Sequence, residues 1–110
     1  MGSGTALGPF QQQVLYVLLH LGEKAYGMNI WQELQDRTGE TKSIGAVYST
    51  LERLERRGFT SSWMGDPTPE RGGRAKRYYS ITGAGVTALQ ESERMVMNLR
   101  SLVLELGGES

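Results

Sequence analysis

Cysteine is absent from the 110 residues, and histidine occurs once, at His20. Disulfides and thiolate chemistry are thereby excluded, and a cysteine-free chain suits the cytoplasm. A metal site is not expected either, because no His/Cys cluster exists to build one. Neither sign of charge is in excess, with 12 basic and 12 acidic residues. The longest apolar run, Val14 to Leu19, falls far short of the ~20 residues of a membrane span. No positively charged leader precedes it, so no secretory signal is expected. The chain also lacks a phosphate-cradling glycine loop, a nucleophile elbow and a paired-carboxylate signature, so neither catalytic residues nor a cofactor are expected. TGAG at 82–85 reads as a strand-to-helix cap, since the βαβ context of a dinucleotide site is missing. His20, at the end of an apolar segment with no partner motif, reads as a structural or surface group.

The zero net charge conceals a polarised distribution. Between Lys42 and Arg77 there are eight basic and four acidic residues, a local charge of +4, and the remainder of the chain carries −4. A domain so arranged can set positive charge against phosphate while staying neutral as a whole. A chain of this length is one domain with a limited core, which leaves apolar surface for a second subunit to cover.

Helical spacing of Phe10, Val14, Val17, Leu18 and Leu21 predicts a first helix over 7–21, stopped by Gly22. A second helix is expected from Ala25 to Thr38, with Ile30, Trp31 and Leu34 on its apolar side. Ser43 is placed to cap a third helix, closed by Gly58. Phe59 to Met64 reads as a strand with Phe59, Ser61 and Trp63 on one face. Gly65 to Gly73, which holds Pro67 and Pro69, reads as a loop, and Arg77 to Ile81 as the returning strand. Thr82 then caps a last helix that runs to about Leu106. The fold class is mainly α with a two-stranded β-hairpin: a winged helix-turn-helix over 1–82, followed by a long C-terminal helix over 83–110.

In the third helix Ile44, Val47, Leu51 and Leu54 form one apolar stripe. Lys42, Gly45, Ala46, Ser49, Arg53 and Arg56 lie opposite. Small residues at 45 and 46 permit close approach, Ser49 can bond a base edge, and an arginine can pair bidentately with guanine. Tyr48, at the stripe's margin, can offer its hydroxyl to a phosphate while packing its ring. Arg71, Arg74, Lys76 and Arg77 gather at the hairpin tip, placed to clamp phosphate or enter a minor groove. The expected DNA-contacting set is Lys42, Ser43, Ala46, Tyr48, Ser49, Arg53, Arg71, Arg74 and Lys76. Trp63, Tyr78 and Tyr79 read as hairpin packing, because a base-stacking platform needs several exposed aromatics in a row.

Leu89, Val96, Leu99, Val103 and Leu106 approximate an a/d seam, and Met95, Met97, Leu102 and Leu104 widen it. A helix so apolar at the end of a small domain calls for cover from a twin subunit. With Phe10 and Val14 of the first helix, the seam residues form the expected dimer interface. A dimer would present two reading helices to a two-fold operator on double-stranded DNA.

Three segments, AYGMNI at 25–30, SIGAVYSTLERLERRG at 43–58 and GGRAKRYYSITGAG at 72–85, resemble the PadR family of bacterial transcriptional regulators in content, order and separation. The resemblance implies a winged-helix repressor that dimerises through its C-terminal helix. Its reading helix falls on Ser43–Arg57 and its wing on Phe59–Ile81, with Arg74 and Lys76 at basic wing positions. The chain is similar to the shorter subfamily, whose members often bind flat hydrophobic compounds between subunits and control efflux genes. That implies a ligand site at Met95, Leu99 and Leu102. The chain departs from the family in having Met28 where an aromatic is usual, Ala75 and Gly83 where proline is usual, and no tryptophan in the last helix. A different class of function, a winged-helix module that binds protein rather than DNA, is suggested by Glu52, Glu55, Asp66 and Glu70 and by the zero net charge. A gel shift at low salt separates the two.

Overall fold

The computed structural model describes residues 6–65 and 75–108. Helix α1 spans Pro9–Leu21, and after a short 3-10 turn at Gly22–Lys24, α2 spans Gly27–Thr38 and α3 Ile44–Arg56. Strands β1 (Thr60–Met64) and β2 (Arg77–Ile81) are antiparallel, paired from Thr60 with Ile81 to Met64 with Arg77. Helix α4 spans Gly83–Gly108.

Each start has a local cause. Pro9 opens α1, where its missing N–H costs nothing. The Ser43 hydroxyl accepts from the Ala46 amide at 3.0 Å and caps α3. Helix α2 begins two residues later than the periodicity predicts. Ala25 and Tyr26 are extended instead, because they lie along the outer edge of β2: the Tyr79 amide donates to the Ala25 carbonyl at 2.9 Å, and Tyr26 bridges Tyr78. That segment covers a sheet edge that would otherwise be open.

The core joins Val14, Leu15, Val17 and Leu18 of α1 to Ile30 and Leu34 of α2 and Val47, Leu51 and Leu54 of α3. Ala25, Phe59, Tyr79, Ala88 and Leu89 complete it. Two residues expected at a subunit contact therefore belong here. Val14 is wholly buried and Leu89 nearly so within the chain's own core, because the body folds over that side of α1 and over the first turns of α4. The hairpin also differs from its expected alternation. Phe59 precedes β1 and turns into the core, its amide donating to the Leu54 carbonyl. Thr60 is the inward residue of the strand, and Ser61 and Trp63 are exposed.

The root of α4 is held tightly. Thr82 Oγ1 accepts from the Gly85 amide at 3.1 Å and donates to the Gly58 carbonyl at 2.7 Å. A Cβ at Gly85 would stand 2.3 Å from the Phe59 carbonyl oxygen, so a side chain there has no room. Farther along, Met95, Val96, Met97, Leu99, Leu102, Val103, Leu104 and Leu106 are each more than half exposed. The helix leaves the body as an arm, and the molecule measures 60 × 33 × 21 Å. No helix among the described residues is long and apolar enough to cross a membrane.

Candidate nucleic-acid interface

Helix α3 buries Val47, Leu51 and Leu54 and turns Gly45, Tyr48, Ser49, Glu52, Arg53 and Arg56 outward. Among the described residues, no hydrogen bond or ion pair engages the side chains of Ser49, Arg53 or Arg56. Two guanidinium groups and a hydroxyl thus stand on one exposed face behind a small-residue entry at Gly45 and Ala46. Such a face can enter a major groove and bond base edges.

Neighbouring elements brace the helix. Trp31 of α2 donates its indole N–H to the Lys42 carbonyl at 2.6 Å, fixing the turn into α3. Tyr48, 41% exposed, lies across the start of α2, where a Cβ on Gly27 would come within 2.1 Å of its hydroxyl oxygen. At the far end the Arg57 guanidinium donates to Gln11 Oε1 (2.8 Å) and the Ala6 carbonyl (2.7 Å) and covers the Phe59 ring. That arginine, counted in the reading helix from sequence, ties α3 to α1.

Two expected DNA contacts have other neighbours. Lys42 Nζ sits 5.2 Å from the centre of the Phe10 ring, a cation–π contact that turns it toward α1. Phe10, expected at a subunit contact, is in turn half-buried against the core beneath that lysine. Lys76 Nζ sits 4.9 Å above the Tyr26 ring at the loop end of the hairpin. Arg71 and Arg74 lie outside the described residues.

An aromatic ladder that the periodicity does not reveal stiffens the loop end of the hairpin. Trp63 stacks on Tyr78 at 6.0 Å, and Tyr78 meets Tyr26 edge-on at 5.8 Å. Trp63 and Tyr78 pair directly across the strands, which puts their rings together. A polar relay runs beside it: Arg77 Nη1 donates to Ser62 Oγ (3.0 Å), which donates to Glu55 Oε2 (3.1 Å). Glu55, an acid of α3, is thereby committed to holding the hairpin. Tyr79 is buried, and desolvation raises its hydroxyl above the usual tyrosine range.

His20 closes α1 against α2. Its Nε2 lies 3.6 Å from Glu33 Oε2 and 3.3 Å from Arg37 Nη2, and Glu33 also pairs with Arg37. The bond from Arg37 holds the Glu33 carboxyl below its ordinary range. No group of three His, Cys, Asp or Glu residues that could hold a metal occurs among the described residues.

Three helices, a braced hairpin beside the third, and an outward basic face on that third helix define a winged helix-turn-helix protein. Residues 14–91 match the family model described as Transcriptional regulator PadR-like family. Over 97 residues the chain is 38% identical to the transcriptional regulator Rv3488 of Mycobacterium tuberculosis, covering 87% of this chain and 84% of that protein. A PadR-like transcription factor from Bacteroides fragilis superposes with a TM-score of 0.71 at 27% identity, covering 88% of this chain and 89% of that one. A PadR-like transcriptional regulator from Bacillus cereus has the same fold, with a TM-score of 0.72 at 22% identity over the same shares. The chain belongs to the PadR-like family of transcriptional regulators.

Proposed function

We propose that the protein is a homodimeric, sequence-specific DNA-binding repressor of the cytoplasm. The observation that carries the reading is the outward face of α3, where Ser49, Arg53 and Arg56 stand unengaged by the described residues on a helix that buries Val47, Leu51 and Leu54 on its opposite side. Ser49 and Arg53 contact base edges, Ser43, Ala46 and Tyr48 face the flanking backbone, and Arg71, Arg74 and Lys76 of the wing hold phosphate. Lys42 joins them on leaving the Phe10 ring. The second copy lies along α4, covering Val96, Leu99, Val103 and Leu106, whose exposure in one chain is uncommon for so contiguous an apolar surface.

A flat hydrophobic molecule seated by Met95, Leu99 and Leu102 favours an arm geometry in which the two reading helices no longer match the operator. DNA is then released by population shift.

The test is selection of duplexes from a random pool, followed by gel shifts at several salt concentrations. Enrichment of a two-fold symmetric site, with affinity falling as salt rises, is the expected result. No enriched site and no shift at low salt would overturn the reading in favour of a protein-binding module.

A further inference from the structure

We infer that Tyr16 and Glu93 are positioning residues that set the angle of the α4 arm, and with it the half-site spacing that the two reading helices accept. The inference rests on the dimeric DNA-binding reading above. The Tyr16 hydroxyl on α1 donates to Glu93 Oε2 on α4 at 2.6 Å. The bond stands where α4 leaves the body. On its near side Gly85, Ala88 and Leu89 are packed in, and on its far side the apolar side chains from Met95 onward are exposed.

Packing holds the arm here only along a narrow line, where Gln12 of α1 meets Ser92 and Val96 of α4 between two grooves. One, of about 550 Å³, is lined by Gln12, Tyr16, Ser92, Glu93, Val96 and Met97. The other, of about 380 Å³, includes Leu7, Glu91 and Met95. Residues 93 and 97 face the first and residues 91 and 95 the second, so the two lie on opposite flanks of the helix. Sideways swing about that line meets open space in both directions, and the phenol–carboxylate bond constrains it. Burial, and then the Glu93 carboxylate, push the Tyr16 hydroxyl up to about 12, so it remains a donor throughout the neutral range.

The leverage is large. One base-pair step is about 3.4 Å, and over half of the molecule's 60 Å length a tilt of about 6° moves a reading helix that far. Each step also turns the half-site by about 35° about the duplex axis, so a contact that holds the tilt holds the axial part of the spacing.

The chain's lack of cysteine permits one spin label per copy, at Gln32→Cys on the exposed side of α2. Pulsed dipolar distances are measured on the dimer, with and without each variant. Binding is measured on duplexes that carry the selected half-sites with the spacer changed one base pair at a time. Wild type is expected to give a narrow distance and lose about tenfold in affinity per base pair of altered spacer. Tyr16→Phe and Glu93→Leu broaden or shift the distance and cut that loss to about threefold or less. Glu93→Gln, whose amide oxygen still accepts, keeps the wild-type profile. Unchanged distances and spacing preference in Tyr16→Phe and Glu93→Leu overturn the inference. A wild type with no inter-label distance or no selected duplex overturns the dimeric reading instead, and the inference with it.

Discussion

The Tyr48 phenol of α3 occupies the space where a side chain at Gly27 of α2 would begin, with the hydroxyl oxygen 2.1 Å from the missing Cβ position. The two helices of the turn meet through this pair, so the orientation of α3 depends on a residue with no side chain of its own. Gly27→Ala is expected to destabilise the protein by about 1–3 kcal/mol, the cost of forcing the Tyr48 ring off the start of α2. Adding Tyr48→Ala should recover part of the loss. Urea denaturation of the four proteins in the cycle measures the coupling, and additive losses would show that the pair does not interact.

Arg53 and Lys42 should separate in their effects on DNA. Arg53→Ala is expected to weaken binding to the selected site by about 1–3 kcal/mol and to relax preference at one base position. Lys42→Ala, whose ammonium rests over Phe10, should weaken binding less. Equal losses in titrations at one fixed salt concentration would argue that giving up the Phe10 ring takes nothing from the Lys42 contact.

Substitutions at the exposed and at the buried apolar residues of α4 should fail in different ways. Leu99→Asp or Val103→Asp, on the exposed arm, should yield a folded monomer by sedimentation. Leu89→Ala, in the core, should instead lower unfolding free energy by about 2–5 kcal/mol. A dimer that survives both aspartates would place the subunit contact elsewhere.

Alkaline titration should expose the Tyr16 bond. A tyrosine whose hydroxyl is raised from 10.0 to about 12 in the folded chain holds its proton more tightly folded than unfolded. Its contribution is complete below the unfolded value and is lost as pH rises through about 12. Tyr79 is shifted the same way, so wild type should lose stability across this window and Tyr16→Phe should lose less. Coincident stability–pH curves for the two proteins would count against the shift.

At the acid end the sign reverses. Glu33, lowered by Arg37, contributes stability that is present above its unfolded value and lost as pH falls through the depressed one. Glu33→Gln should flatten that limb in thermal melts between neutral and acid pH. Because the carboxyl is solvent-facing, the effect should shrink with added salt.

The stripe Val47, Leu51, Leu54 and the outward set Ser49, Arg53, Arg56 were legible in the sequence because helical periodicity separates two faces without reference to the rest of the fold. The periodicity of α1 and α4 shows equally well which residues share a face, but not what covers it. Val14 and Leu89 therefore read as subunit contacts although the chain buries them itself. Ala25 and Tyr26 look helical by composition and become extended only because β2 arrives alongside them. The Lys42–Phe10 contact, the Trp63–Tyr78–Tyr26 ladder and the Tyr16–Glu93 bond join residues from separate elements. Nothing in local pattern brings such groups together; the tertiary fold does.

Because Arg57, Trp31 and Gly27 brace α3 from its ends and its inner side, the outward Ser49, Arg53 and Arg56 carry almost no share of folding. Ser49, Arg53 and Arg56 can be exchanged for other polar residues with little penalty to the scaffold. If α3 reads DNA as proposed, new target sequences are open to the molecule through a few surface replacements, while its architecture stays as it is.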